Sequence, residues 1–175
     1  KASGNTILMM SVKNEKDNIL PTVTQIIKKG NVVPWLWNYA GIVPPLSVLT
    51  VGVAGTGVNV TAPEPDSIVR KMPILIAIGE KIYPSMLIEN VRAINKSKRI
   101  KVIAKEHGID EILVSKKAGI PVNHNAEMYI NYADPKKYNH ISADYILSSN
   151  FDPNTLKGKI VIVGLDAAGL SVLKY

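Results

Sequence analysis

The sequence predicts a single α/β domain in which hairpins and helices pack on a mixed β-sheet. Short apolar runs at residues 6–12 and 159–163 have the length and composition of buried strands. They are combined with one clear amphipathic helix after Ser85 and with tight turns that are typical of hairpins. Hairpins that alternate with helical crossovers favour a mixed sheet over a purely parallel one. A chain of 175 residues is long enough to bury one core.

The composition is that of a folded protein without cysteine chemistry. Hydrophobic residues make up 46% and charged residues 20%, far from the composition of disordered chains. The absence of cysteine excludes disulfides, thiolate metal sites and cysteine nucleophiles. The three histidines, His107, His124 and His140, lack the spacing of a metal site. We therefore predict no metal and no cofactor.

The positive charge is concentrated between Arg92 and Lys117. This stretch holds eight basic residues against three acidic ones, within a chain of net charge +7. Such a block is either an electrostatic footprint for nucleic acid or anionic lipid, or a solvated face, which is the commoner case. Because nucleic-acid binding surfaces usually include aromatic residues and this stretch contains none, we predict no nucleic-acid partner.

The first part of the chain predicts a strand followed by a helix. Residues 6–12 form the first strand. Pro21 opens a weak helix in which Val23, Ile26 and Ile27 lie on one face, and Gly30 ends it. The prolines that follow favour an irregular path over residues 31–45.

Two tryptophans and three glycines occupy the next segment. Trp35 and Trp37 alternate as on one strand face, so they either line a ligand pocket or pack against the core. The glycines lack the spacing of a dinucleotide-binding loop, and no clear helix follows them. We predict that they are turn glycines, at positions Gly52, Gly55 and Gly57.

The middle of the chain predicts a hairpin and the most regular helix. A strand at residues 68–78 returns through Gly79 into a second strand at 81–83. Ser85 is a good N-cap, and apolar residues recur after it at helical spacing, so this helix should pack on the sheet. The recurring residues are Leu87, Ile88, Val91 and Ile94.

The last third predicts two strands, a short helix and a closing strand. The strands are expected at residues 111–115 and 127–132, and Ser142 caps the helix. The closing strand at 159–163 runs into a sequence close to a phosphate-binding loop, but Leu170 replaces the lysine that would reach the phosphates. No nucleophile-elbow motif is present either, so an enzyme is disfavoured and no catalytic residue is predicted.

Three sequence blocks, taken in order, resemble a known family. They cover residues 57–74, 83–89 and 130–164, and they are similar to the second subtype of the CHASE-type domains, the extracellular sensors of membrane-bound cyclases and histidine kinases. The resemblance extends over roughly residues 44–170. At one position the chain departs from the family, which favours glycine where this chain has Ser67. If the turn needs a positive φ there, Ser67 implies a different turn type.

The resemblance implies that residues 1–175 are a single extracytoplasmic sensor domain, truncated at both ends. It implies a parent protein anchored in the membrane, whose sensor regulates a cytoplasmic cyclase or kinase and performs no catalysis itself. The partners we expect are an unknown small-molecule ligand and a second copy in a homodimer. The alternative is a structural module that dimerises and binds no small molecule.

A ligand site, if it takes an anion, is predicted where polar groups converge near the first two family blocks. Each of these groups also has a structural interpretation, since Arg70 can pair with Asp66 or Glu89 and Ser85 can serve only as a cap. The candidate ligand-binding residues are Arg70, Lys71, Asn59, Tyr83 and Ser85.

Overall fold

A computed structural model describes residues 4–16, 24–61, 64–115 and 118–165 of the chain. The chain forms two compact units, Lys1–Asn131 and Tyr132–Tyr175. The first unit contains one α-helix, α1 (Met86–Ile94), and two short 3-10 helices among its described residues. The strands of that unit are β1 (Ile7–Lys13), β2 (Gln25–Lys29), β3 (Trp37–Asn38), β4 (Gly41–Val43), β5 (Gly55–Val58), β6 (Lys71–Pro73), β7 (Leu75–Ile78), β8 (Lys81–Pro84), β9 (Arg99–Lys105), β10 (Gly108–Ser115), β11 (Ala118–Ile120) and β12 (Glu127–Tyr129).

The strands of the first unit pair both parallel and antiparallel. The pairing orders are β4-β1-β5, β11-β10-β9-β2, β12-β6 and β3-β7-β8. The pairs β1-β5, β2-β9 and β3-β7 are parallel, and the others are antiparallel. A bridge between Val58 and Ser85 joins β5 to the end of β8. The predicted mixed α/β fold with hairpins and helices is confirmed, and the hairpin β7-β8 turns at Gly79 as predicted.

Strand β7 separates two apolar clusters. Its four residues are all buried, and successive side chains of a strand point to opposite faces. Leu75 and Ala77 belong to a larger cluster with Ile88 of α1 and the inner face of β9 and β10. Ile76 and Ile78 belong to a second cluster with Met10 and Tyr83. Because both faces of β7 are buried, its sequence is continuously apolar and does not alternate between apolar and polar residues.

Helix α1 begins where the sequence predicts and lies directly on β5. The Ser85 hydroxyl accepts a hydrogen bond from the Ile88 amide, as an N-cap does. The prediction that Gly55 and Gly57 are turn glycines is wrong, because both lie inside β5. A Cβ on Gly57 would stand 2.6 Å from the Met86 Cα, so glycine is needed for the close approach of the helix to the strand.

The predicted helix at residues 21–29 is wrong in its described part, since Gln25–Lys29 is strand β2. The β-branched Ile26 and Ile27 suit a strand, and β2 pairs in parallel with β9 over five residues. Gly30 ends the element as expected, with φ of 83°, and a Cβ there would collide with the Ala104 carbonyl oxygen. Pro21 itself lies outside the described residues.

Strand β9 was not predicted, although its pattern is a regular alternation. Its basic residues Arg99, Lys101 and Lys105 are exposed, and Ile100 and Val102 are buried between them. Three of the eight residues of the basic block therefore lie on the solvated face of a strand. Lys116 and Lys117 lie outside the described residues.

The second unit contains helix α2 (Ala143–Leu147) and two short 3-10 turns in its described residues. Ser142 caps α2 as predicted, through a hydrogen bond from the Tyr145 amide to its hydroxyl. The closing strand predicted at 159–163 is not formed: this segment pairs with no strand among the described residues, and Val163 is 92% exposed. An apolar run becomes a strand only when another strand supplies hydrogen bonds, and the described part of this unit contains none.

Neither α1 nor α2 has the length and apolar character that a helix needs to cross a bilayer, and the described residues hold no other α-helix.

The contact between α1 and β5 predicts that Gly57→Ala destabilises the protein. The added methyl group has to displace backbone atoms of Met86 and Ser85, so we expect a loss of about 2 kcal/mol or more in unfolding free energy. Urea denaturation of Gly119→Ala provides the control, because a Cβ on Gly119 meets only a Leu113 methyl at 3.6 Å. Equal stabilities of the two variants would contradict the close approach.

Candidate functional site

The first candidate site is built on the turn that precedes β6. The Ser67 amide donates to the Glu64 carbonyl, and the Ile68 amide donates to the Asp66 carboxylate. Ser67 has φ of 65°, the left-handed conformation that glycine adopts without strain. The turn therefore keeps a positive φ with serine in place of glycine, and the different turn type considered from the sequence is not needed. This geometry costs serine about 1 kcal/mol.

Arg70 is held by two carboxylates on this turn. Its Nη1 lies 2.7 Å from Glu64 Oε2, and its Nη2 lies 2.8 Å from Asp66 Oδ2. Lys71 adds a longer contact, 3.7 Å from its Nζ to Glu64 Oε1. The pairing of Arg70 with Asp66 confirms one alternative from the sequence, and pairing with Glu89 is wrong because Glu89 binds Arg92. We call Glu64, Asp66, Arg70 and Lys71 the Arg70 cluster.

The contacts between Asp66 and Arg70 shift the pKa of both groups although they lie at the surface. The hydrogen bond from Arg70, followed by that from the Ile68 amide, lowers the pKa of Asp66 below its ordinary value of 3.8. Hydrogen bonds to Asp66 and then Glu64 raise the pKa of Arg70, so it stays charged at any relevant pH. With 43% of its side chain exposed, Arg70 remains accessible from solvent.

A strip of polar and aromatic side chains continues from Lys71 along β6 and β12. Lys71 lies opposite Tyr129 in the antiparallel pair, and its Nζ is 5.2 Å from the centre of the tyrosine ring. Residues directly opposite share a face of the sheet, so Glu127, two residues before Tyr129, lies on the same face. Met72 and Met128 lie on the other face and pack on the core. Tyr129, at 67% exposure, offers an open aromatic surface beside a cation.

Glu127 connects this strip to Trp37. The indole Nε1 of Trp37 donates to Glu127 Oε1 at 2.9 Å, and Asn123 Nδ2 donates to Glu127 Oε2 at 2.7 Å. Asn125 donates to the Trp35 carbonyl, which ties the loop before β12 to the segment before β3. The two tryptophans therefore separate: Trp35 packs against the larger cluster, and Trp37 is exposed on the polar strip.

The predicted site residues divide into an exposed group and a buried group. Arg70 and Lys71 form part of the Arg70 cluster. Asn59 is exposed directly after β5, and its backbone amide donates to the Met10 carbonyl. Tyr83 is wholly buried in the second apolar cluster, and Ser85 is buried as the cap of α1. Tyr129 and Glu127 were missed, because the pairing of β12 with β6 is not visible in the sequence, whereas Trp37 was one of the two tryptophans considered for a ligand pocket.

A family model described as CHASE2 domain matches residues 5–175, which is essentially the whole chain. The protein belongs to the CHASE2 domain family. The resemblance seen in the sequence is thereby confirmed and extends over both compact units. Comparison with curated proteins gave no match, and comparison with solved structures gave none either.

CHASE2 domains are extracytoplasmic sensor domains and not catalytic domains. This agrees with the expectation that the chain is not an enzyme, and Leu170, the residue behind the nucleotide argument, lies outside the described residues. Within the described ranges, no group of three or more His, Asp or Glu side chains is placed to hold a metal ion.

A shallow depression of this CHASE2 domain lies between β2 and the β7-β8 turn. Its volume is about 230 Å³, and Ile26, Lys28, Glu80, Lys81 and Ile82 line it. Pockets for organic ligands usually enclose about 300 Å³ or more. The depression is open and charged at its rim, and no residue of the Arg70 cluster lines it.

The hydrogen bonds of Asp66 predict a pH-dependent contribution of the turn to stability. Because the folded-state pKa of Asp66 is lowered, the stabilisation is complete above the ordinary value of 3.8 and is lost as the pH falls through the folded pKa. A ¹³C NMR titration of the carboxyl group should give a midpoint below 3.8, and Arg70→Ala should raise it. Arg70→Lys keeps the charge and should give an intermediate midpoint. An unchanged midpoint in Arg70→Ala would contradict this assignment.

Proposed function

We propose that this CHASE2 domain is the ligand-sensing input domain of a membrane-bound signalling protein and regulates a cytoplasmic cyclase or kinase. In this proposal the domain catalyses no reaction and lies on the extracytoplasmic side of the membrane. The observation that carries the proposal is the Arg70 cluster in a domain of a sensor family. Its arginine is accessible from solvent and is paired with carboxylates of its own chain.

The chemistry of the Arg70 cluster suits a small organic anion. The guanidinium group already binds carboxylate oxygens at 2.7–3.0 Å, which is the geometry in which it would hold a ligand carboxylate or phosphate. Lys71 supplies a second positive charge, and Tyr129 supplies an aromatic face beside it. A ligand anion would replace Asp66 or Glu64 as the partner of Arg70, and its apolar part would lie against Tyr129.

The exchange of carboxylates gives a route from ligand binding to a change of conformation. Release of Asp66 or Glu64 removes side-chain contacts that hold the turn at residues 64–68. This turn leads into β6 and from there into the buried strand β7. A ligand shifts a conformational equilibrium only by its difference in affinity for the two states. A coupling of about 1–3 kcal/mol is the usual size for such signals.

The remaining predicted ligand-binding residues enter the proposal in different ways. Asn59 is exposed at the end of β5 and would contact a ligand from its side chain if the site extended that far. Tyr83 and Ser85 contact a ligand only if β8 rearranges, because both are buried. In the conformation described here they support the framework: Tyr83 packs in the second apolar cluster, and Ser85 begins α1.

A second candidate function is that of a structural dimerisation module, and one observation favours it. Met9 and Val43 are exposed apolar residues on neighbouring strands, and they share the outer face of β1 and β4. A second copy of the chain would cover them. The homodimer is compatible with ligand sensing, so the two functions differ in whether an anion changes the protein.

Thermal unfolding with acetate, succinate and phosphate as probes tests the proposed site. We expect at least one of these anions to raise the melting temperature of the wild-type protein, and Arg70→Ala to weaken its binding about tenfold or more, since hydrogen bonds to charged groups contribute about 1.5–3 kcal/mol. Lys29→Ala is the control, an exposed cation on β2 that belongs to neither the Arg70 cluster nor any other proposed anion-binding surface.

If an anion raises the melting temperature of the wild-type protein and of Arg70→Ala equally, Arg70 does not bind that anion. If no anion stabilises the wild-type protein and sedimentation velocity shows a concentration-dependent dimer, the dimerisation module is the better account.

A further inference from the structure

The loop between β4 and β5 exposes a group of apolar side chains. Val48 and Val51 are each 77% exposed, and Leu46 and Leu49 are exposed beside them. We call residues 44–53 the apolar loop. The loop has a defined shape, because the Leu49 amide donates to the Leu46 carbonyl and both the amide and the hydroxyl of Thr50 bond to the Ser47 carbonyl. Its apolar side chains are therefore held outward by an ordered backbone.

The apolar loop lies in a long uncharged part of the sequence. No Asp, Glu, Lys or Arg occurs from Gly30 to Pro63. A loop tip that functions only in water usually carries polar or charged residues, and a group of exposed large apolar residues usually marks an interaction surface. The absence of charge removes the main cost of placing this tip in the interface of a lipid bilayer.

A basic segment lies beside the base of the apolar loop. We define it as residues 96–99, whose Lys96, Lys98 and Arg99 are exposed. The guanidinium group of Arg92 connects the two features, since its Nη2 donates to the carbonyl of Ala54, directly after the loop, and its Nη1 donates to the Ser97 carbonyl at 2.7 Å. No acidic residue occurs in the sequence between Ala93 and Lys105.

We propose that this end of the first unit, the apolar loop together with the basic segment, docks on the surface of an anionic lipid bilayer. Apolar side chains that enter the headgroup region and lysines that face the lipid phosphates are the two contributions that hold proteins on membranes. Charge complementarity selects the bilayer over a second copy of the chain, because a symmetric contact through this surface would bring two basic segments into one interface. The inference does not depend on ligand binding at the Arg70 cluster.

Vesicle cosedimentation tests the docking surface in the 175-residue protein. The protein should bind phosphatidylcholine vesicles that contain phosphatidylglycerol at about one third of the lipid, and should bind pure phosphatidylcholine at least about tenfold more weakly. Val48→Ser/Val51→Ser should lower binding to the anionic vesicles about tenfold or more, and so should Lys96→Glu/Lys98→Glu. Added salt should weaken the wild-type interaction.

Two matched variants control for composition. Lys28→Glu/Lys29→Glu changes the charge equally, but on β2, where Lys29 pairs with Ile103, far along β9 from the basic segment. Val161→Ser/Val163→Ser removes exposed valines from the second unit. Both should bind within about twofold of the wild-type protein, and a loss as large as that of the loop variants would show that the surface is not specific to this end.

Three outcomes would overturn the proposal. One is the absence of binding to anionic vesicles at low salt. Another is a large fall in the melting temperature of Val48→Ser/Val51→Ser without lipid, which would mean that the chain itself covers the loop. The third is a wild-type dimer that this variant dissociates, which would assign the surface to a second copy.

Discussion

A buried ion pair between Glu89 and Arg92 fixes helix α1 on strand β5. Glu89 is completely buried, and its Oε2 accepts hydrogen bonds from Nε and Nη2 of Arg92 at 3.0 and 2.8 Å. The carboxylate fits only because Gly55 has no side chain, since a Cβ there would meet Oε2. Its other oxygen, Oε1, is buried with no hydrogen-bond partner in the described part of the chain. The burial of Glu89 is therefore costly without Arg92, and the pair acts as one unit.

The position of Arg92 links this ion pair to the surfaces for which we propose functions. The same guanidinium group binds the carbonyl groups of Ala54 and Ser97, so it sets the distance between the apolar loop and the basic segment. At the other end of α1, the Ser85 cap lies beside β5 and directly follows β8. Strand β8 pairs with β7 in a hairpin, and β7 follows β6 and the Arg70 cluster along the chain. A displacement of β6 on ligand binding would therefore reach α1 through only a few packed elements.

The sequence predicted those parts of the fold that depend on local chemistry. The Ser85 and Ser142 caps and the hairpin turn at Gly79 were found, because their signals lie within a few residues. The pairing of Arg70 with Asp66 was predicted for the same reason, as one of two alternatives. Contacts between distant segments were not predicted. The sequence of β2 suggests a helix unless its pairing with β9 is taken into account, and the hydrogen bond between Trp37 and Glu127 joins residues 90 positions apart. The Glu89 and Arg92 pair was missed because charges three residues apart on a helix are usually solvated.

A double-mutant cycle on Glu89 and Arg92, followed by urea denaturation, tests most directly whether this pair holds the structure together. We predict that Arg92→Met alone costs about 3–5 kcal/mol, because it leaves a buried carboxylate unpaired. Glu89→Leu/Arg92→Met should cost at least about 2 kcal/mol less than the sum of the single changes. Additive effects within about 0.5 kcal/mol, or a loss below about 1 kcal/mol for Arg92→Met, would contradict the account.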